Sequence, residues 1–390
     1  MRTTLLAIAA ALNGALPAQW ALVPSGTLTQ LEDVHPVDAS TAIPRCNDGV
    51  LLRSTDGGNS WAPLPSGFGD DINHIMQLGP QEFILFADGG AAIRSTDGGN
   101  TWMPGVTTTA SELVGAGRAD ALIVAVGENG AIVRSASGGV TWNTEVSGTV
   151  NDLQAVCPQD EMTWIAVGKS GTCLKSVNGG SDWVPVVLAV SADLNDICFL
   201  SEQVGLICGD EGVILRTIDG GVSWTNVISG TGNELNALWA TSASEVYTCG
   251  AGGTVLKSID GGLSWSAMVS STASVLRDIV VGNGNGFAVG ELGTIFRLGL
   301  GAIGLTEAAF VSGVRLSPVP AVADVQLTMA DPRFLNQFVA EVIDARGTVV
   351  RRTGVIGSTA RFTGLSSGSY VLRLVHEGMP LYSRSFVVAR

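Results

Sequence analysis

An all-β chain, a seven-bladed β-propeller followed by a small immunoglobulin-like β-sandwich, is what these 390 residues predict. Three observations carry the prediction. Tryptophan recurs every 40 or 41 residues, at Trp20, Trp61, Trp102, Trp142, Trp183, Trp224 and Trp265, and a fixed period of that size marks one supersecondary unit copied in tandem. Each period holds four short apolar runs separated by turn signals, the pattern of four antiparallel strands in a propeller blade. The period stops near residue 300, and the remainder alternates as a separate small sandwich does.

Taken in order, the chain opens with a secretory signal peptide over 1–18. Arg2 supplies the positive end, Leu5 to Leu12 the apolar stretch, and Leu16-Pro17-Ala18 a cleavage point, so the mature chain begins near Gln19. The apolar stretch is too short to span a bilayer, and no later run approaches 20 apolar residues. The expectation is an exported chain with no transmembrane segment. The propeller occupies 19–304. Trp20 has the tryptophan register but nothing box-like before it. The last unit ends at its third strand, Gly293-Thr294-Ile295-Phe296-Arg297-Leu298. The segment 20–25 is therefore expected to pair with 293–298, tying the ring shut and removing a sheet edge.

Six tryptophans close an eight-residue box, as in Ser54-Thr55-Asp56-Gly57-Gly58-Asn59-Ser60-Trp61. The box reads as a turn. A carboxylate or hydroxyl accepts backbone N–H groups within it, and glycine takes the positive-φ positions. The structural set is Asp56, Asp97, Ser137, Asn178, Asp219 and Asp260, with Trp61, Trp102, Trp142, Trp183, Trp224 and Trp265. Ser137 and Asn178 depart from aspartate but can make the same bond. A second turn, of the form G-x-x-G, recurs upstream of most boxes, as in Gly209-Asp210-Glu211-Gly212.

The formal net charge is −14. The acid excess lies in 19–304, whereas 305–390 is mildly basic. So acidic a propeller repels nucleic acid. Six cysteines occupy apolar repeat positions, with Cys46, Cys208 and Cys249 read as sharing one place, and they behave as buried free thiols. Three histidines, His35, His74 and His376, and the lack of any C-x-x-C pair give no metal site. No cofactor is implied, and a monomer is expected.

The box S-x-D-x-G-x-x-W resembles the Asp-box, or BNR, repeat of sialidases and related propellers. The longer unit, as in Val289-Gly290-Glu291-Leu292-Gly293-Thr294-Ile295-Phe296-Arg297, resembles the photosystem II stability/assembly factor-like repeats. That resemblance covers about 20–300 and implies seven blades. It fixes no function, because Asp boxes occur in hydrolases, sugar binders, receptors and assembly factors alike. The segment 305–390 resembles the type IX secretion (Por) C-terminal sorting domain of Bacteroidota. The resemblance rests on Leu316-Ser317-Pro318-Val319-Pro320, on Leu365-Ser366-Ser367-Gly368-Ser369-Tyr370-Val371-Leu372 and on Tyr382-Ser383-Arg384-Ser385-Phe386. It implies passage through the outer membrane to the cell surface or medium, with the type IX machinery as a partner. The other reading is an ordinary immunoglobulin-like accessory domain.

No catalytic residues stand out. Sialidase chemistry needs three convergent arginines, and the repeated cations Arg53, Arg94, Arg134, Lys175, Arg216, Lys257 and Arg297 fall one to a blade. A glycoside hydrolase needs two facing carboxylates, and no spacing defines them. The expectation is a non-catalytic binding or assembly module with a protein or glycan partner; a glycan-active propeller is the alternative. Strand alternation puts the boxes on one face and the G-x-x-G turns on the other. The box face looks too repetitive to encode a partner. The opposite rim carries Asp48, Asp88, Glu128, Asp210, Glu211 and Glu291, an acidic set suited to a basic protein.

Overall fold

In the computed structural model, residues 19–299 are described, apart from Ala39, Asp48, Ser271, Asn283 and Gly284, together with 314–322, 324–329, 339–344, 348–354, 359–376 and 379–388. The leader read at 1–18 and the rim residue Asp48 lie outside the described residues. The chain divides into two compact units, Met1–Gly301 and Ala302–Arg390.

The first unit is a ring of seven antiparallel sheets. Blades 1 to 7 begin with Leu31–Pro36, Ile72–Gly79, Leu113–Ala119, Leu153–Pro158, Leu194–Phe199, Leu235–Ala240 and Leu276–Gly282. These first strands pack on one another round the axis. In all seven a β-bulge follows the opening residue, as between Leu31 and Asp33 or Leu194 and Asp196. The bulge sets the next strongly buried residue three places on, Leu31 then Val34 and Leu194 then Ile197. The residues between face the central channel.

The expected closure is present. Gln19–Val23 runs antiparallel to Thr294–Gly299, with Trp20 opposite Leu298 and Val23 opposite Ile295. One blade departs from four full strands. In blade 2 the outer strand shrinks to two isolated bridges, Ala91 with Val106 and Arg94 with Met103. Pro104 lacks an N–H and Gly105 lacks a side chain to pack, so the ladder does not extend between the bridges.

The cores lie between blades. Trp61 of blade 1 packs edge-on against Phe287 of blade 7, centroids 5.5 Å apart, and Trp142 of blade 3 does the same to Phe86 of blade 2. The second box glycine makes room for this. A Cβ on Gly58 would sit 2.1 Å from Phe287 Cε1, and its φ is +83°. The cysteine register needs one correction. Cys208 and Cys249 precede the first glycine of their G-x-x-G turns, but Cys46 itself stands in that glycine's place, opposite Leu31 as Gly209 is opposite Leu194. The position matching Cys208 belongs to Arg45. All six cysteines are free.

In the second unit, antiparallel strands Val349–Gly354, Val339–Asp344, Gly368–His376 and Met379–Val388 lie in that order. Strands Val314–Val322, Asp324–Met329 and Thr359–Phe362 form a second group. The groups join through one parallel pair, Ala321 with Val388.

Trp20 is 3% exposed and packs with Tyr247, Phe296 and Leu298. Trp20→Ala is expected to lower stability by about 3–5 kcal/mol, the usual cost of a large aromatic truncated in a core. Denaturant unfolding measures it. A loss below about 1 kcal/mol would mean that the N-terminal strand does not hold the ring.

Candidate binding face

Each G-x-x-G segment folds as one 3-10 turn, such as Asp88–Gly90 or Asp210–Gly212. Its second residue takes positive φ, which Asn129, Ser170, Glu211 and Leu292 all do without being glycine. The strained residue is held from the next blade: Asn129 N–H donates to Asp152 Oδ1 at 2.9 Å and Ser170 N–H to Asp193 Oδ1 at 2.8 Å. Behind the turn, a buried hydroxyl bonds its last carbonyl, as Ser229 Oγ does to Gly212 O at 2.7 Å. This Ser or Thr stands five residues after most of the tryptophans (Ser25, Ser66, Thr107, Ser147, Ser229 and Ser270). That spacing was visible in the sequence and its role was not read.

The rim residues sort into two kinds. Asp88, Glu128, Asp210 and Glu291 share the first turn position. There three of them meet the second residue of their own inner strand, which in blade 3 is Val114: Asn73 Nδ2 donates to Asp88 Oδ1 and Asn195 Nδ2 to Asp210 Oδ1, each at 3.0 Å, while Arg277 lies 3.8 Å from Glu291. These carboxylates therefore turn toward the channel mouth. Glu211, in the second position, is exposed on the lip of a shallow groove between 211–213 and 226–232.

A second acidic row went unread. Asp71, Glu112, Asp152, Asp193 and Glu234 each precede an inner strand, and their backbone carbonyls receive the turn N–H, as Asp193 O does from Asp210. Among the described residues two cations stand with them. Lys169 Nζ meets Asp152 at 2.6 Å, and Arg277 sits 3.7–3.9 Å from Glu32, Glu234 and Glu291. Over blades 2 and 3, partial burial and then the carboxylates of Asp88, Glu128 and Asp71 raise the Glu112 pKa.

The boxes perform as turns. Asp219 accepts from Ser223 N at 2.9 Å, Ser223 Oγ at 2.6 Å, Val222 N at 3.1 Å and Thr217 Oγ1 at 2.7 Å. Ser137 Oγ accepts Thr141 N at 2.8 Å and Asn178 Oδ1 accepts Asp182 N at 2.9 Å, so both departures keep the bond. Three repeated cations bolt each box to its neighbour. Arg134 Nε donates to Gly179 O, Lys175 Nζ to Gly220 O and Arg216 Nε to Gly261 O, at 2.6–2.8 Å. Lys257 departs from this, pairing with Glu245 at 2.8 Å over the Tyr247 ring. Tyr247 bonds Glu245, a Tyr–Glu couple of sialidase type, but its residue is 2% exposed and burial raises its pKa. It is not a ready nucleophile.

The inner strands hide a polar cluster that the sequence reading missed. Asp33 lies 3.7 Å from Arg45 and 3.5 Å from His74, and it shares a hydrogen bond with Asp278. Burial alone would raise Asp33, but its neighbours outweigh that and hold it below the usual range. Burial drives the His74 pKa down to about 4, so Arg45 is the cation facing Asp33 at neutral pH. Burial and then Asp33 push Asp278 well above the usual carboxyl range. Its oxygens also accept Val34 N–H from blade 1 and its own strand's Ile279 N–H. Asp196 makes the same two bonds, to Leu238 N and Ile197 N, and burial lifts its pKa to about 7. These acids join inner strands and have little left to offer a substrate. Among the described residues no group of His, Cys, Asp and Glu is placed to hold a metal, and no helix is long and apolar enough to cross a membrane.

Residues 45–182, less than half of the chain, match the family model described as the DUF6242 beta propeller domain. No curated protein matches the sequence. Among solved structures the chain is similar to YCF48 bound to D1 peptide, at 19% identity and a TM-score of 0.62, over 73% of this chain and 96% of that one. It is also similar to YCF48 from Cyanidioschyzon merolae, at 21% identity and TM-score 0.61, over 72% and 99%. An ancestral GH74 enzyme aligns at 14% identity and TM-score 0.56, over 96% of this chain and 64% of that one. Identities this low establish the likeness of fold alone, that of a β-propeller.

Two outcomes follow from the boxes and the inner acids. Asp219→Ala should cost about 1 kcal/mol at pH 7, the loss of turn hydrogen bonds at a site that water can reach. Asp219→Asn, which copies Asn178, should cost less. Hydrogen bonds led by those from Ser60, Thr101, Ser223 and Ser264 lower Asp56, Asp97, Asp219 and Asp260 from 3.8 to about 2. Their contribution is complete above about pH 4 and is lost as pH falls through about 2. Asp196 acts in the opposite sense, its contribution falling as pH rises from about 4 through 7. Denaturant midpoints should fall from pH 4 to pH 2, less steeply in Asp219→Asn. An acid limb unchanged by that substitution would count against this assignment.

Proposed function

We propose that this chain is a secreted or cell-surface, non-catalytic binding propeller whose turn-bearing face docks a basic segment of a protein partner. The observation that carries the reading is the double row of carboxylates round the channel mouth: Asp88, Asp210 and Glu291 turned inward with Glu128 at the same turn position, the row of Asp71 to Glu234 behind them, and Glu211 on a groove. Charge of one sign at a mouth steers an oppositely charged partner and raises its association rate. The YCF48 structure with a bound D1 peptide gives a precedent for a peptide on this fold. In this reading 1–18 directs export, and 305–390 is a type IX sorting domain built as an immunoglobulin-like sandwich. The propeller acts as a monomer, without cofactor or metal.

The likeness to an ancestral GH74 enzyme favours a second reading, a glycan-active propeller. Against it stand the engagements of the acids. Box carboxylates are taken up in their own turns, and Asp196 and Asp278 in backbone bonds. Trp164 is fully buried, and Trp239 is part-buried with its indole bonded to Val281 O, so neither offers a platform for a sugar ring.

Binding of a fluorescein-labelled Lys/Arg-rich peptide to the full chain, followed by stopped flow, tests the reading. Association should slow as salt rises. Asp210→Lys with Glu211→Lys should slow it several-fold further at unchanged melting temperature. Turnover of a polysaccharide by the purified chain would overturn the non-catalytic reading. Equal association by the reversed variant would overturn the choice of face. Deletion of 310–390 should leave the propeller's melting temperature unchanged while abolishing surface display; normal display would refute the sorting role.

A further inference from the structure

The box face is less uniform than its backbone. Two positions of the box vary in kind from blade to blade: the one after the Ser or Thr and the one two before the tryptophan. In blades 1 and 2 they are Thr55, Asn59, Thr96 and Asn100. In blade 5 they are Ile218 and Val222, both 68% exposed, and in blade 6 Ile259 and Leu263, at 73% and 59%. Val140 of blade 3 and Val177 of blade 4 extend the series at 65% and 66%. The same turn forms with either kind of residue: Asn59 adds a side-chain bond to Asp56 O, whereas Val222 and Leu263 keep the backbone N–H bond to the carboxylate without it. The box therefore does not demand aliphatics there, and six of them on consecutive blades in water call for a use.

The arc is rigid, and its exposed charge is mostly negative: Asp182, Asp260, Glu161 and Glu202 are exposed, whereas its cations are half-buried. Arg134, Lys175 and Arg216 tie the boxes of blades 3 to 6 in series through carbonyl bonds and are spent on that task. Between the aliphatics stand the carboxylates of Asp182, Asp219 and Asp260, with Glu202 exposed on the adjoining hairpin. A second copy of this chain is a poor occupant, because it would set these carboxylates against their own kind in a molecule of net charge −14. We infer that the box faces of blades 3 to 6 are a second docking surface, for an amphipathic segment of a partner protein whose apolar side is flanked by Lys or Arg. This surface is opposite the channel mouth and does not depend on the function proposed for that mouth.

The test titrates the full chain into an 18-residue fluorescein-labelled amphipathic Leu/Lys peptide, a Leu/Glu peptide of the same pattern and a Leu/Lys peptide of scrambled order. The variant Ile218→Thr, Val222→Asn, Ile259→Thr, Leu263→Asn copies the boxes of blades 1 and 2. Ile259→Lys is a second, single change at an exposed site. The wild type should bind the patterned Leu/Lys peptide at least tenfold more tightly than the other two peptides. Both variants should weaken that binding tenfold or more at unchanged melting temperature, while the Asp210→Lys, Glu211→Lys chain retains it. Amide-exchange protection should map to 216–224 and 257–265. Equal binding by the box variants, protection confined to the opposite turns, or equal binding of the Leu/Glu peptide would each overturn the inference. Sedimentation showing self-association that the variants abolish would assign the surface to a second copy instead.

Discussion

A propeller blade is a four-stranded sheet with two apolar faces, and only its neighbours can cover them. Everything else in the first unit answers to that constraint. A blade cannot bury Ile165 or Leu206 by itself; the box glycine and tryptophan of the following blade do so. The last pair must close on the first, which is why a strand from the N-terminus completes the sheet whose other strands come from 276–299. A ring of nearest-neighbour contacts stays open at one seam until that strand is in place.

The polar chemistry follows the same logic. Backbone groups exposed by the tight turns must find partners, and most partners come from the adjacent repeat. Box carbonyls receive the cation of the preceding blade, left-handed turn residues donate to carboxylates of the next, and buried Asp196 and Asp278 bond the neighbouring inner strand. Many conspicuous charged residues are thereby committed to the ring. What remains for recognition is what the ring does not need: the acids round the channel mouth, and the box side chains that vary from blade to blade.

The buried set between blades 7, 1 and 2 shows how a local departure from the repeat spreads. Asp33 takes a channel position, Arg45 replaces the apolar residue its sister blades carry there, and His74 and Asp278 complete the group. One buried carboxylate needs a cation, and the cation needs the space of a hydrophobe.

The blade count, the closing strand and the box turns were legible in the sequence, because each is a local pattern repeated at a fixed interval. The chemical roles of Asp56, Asn178 or Trp61 follow from turn geometry alone. Tertiary structure decided what depends on contacts between strands and between blades. It assigned the repeated cations to the next blade's carbonyls and paired Asp33 with Arg45. It also separated the inward carboxylates of Asp88 and Glu291 from the outward Glu211. Cys46 does not share the position of Cys208 and Cys249, because the first glycine of its turn is absent and Cys46 stands in that glycine's place. Which face of the disc a side chain reaches depends on bulges and positive-φ turns, and a one-residue shift in either changes the side chain's surroundings without changing the period.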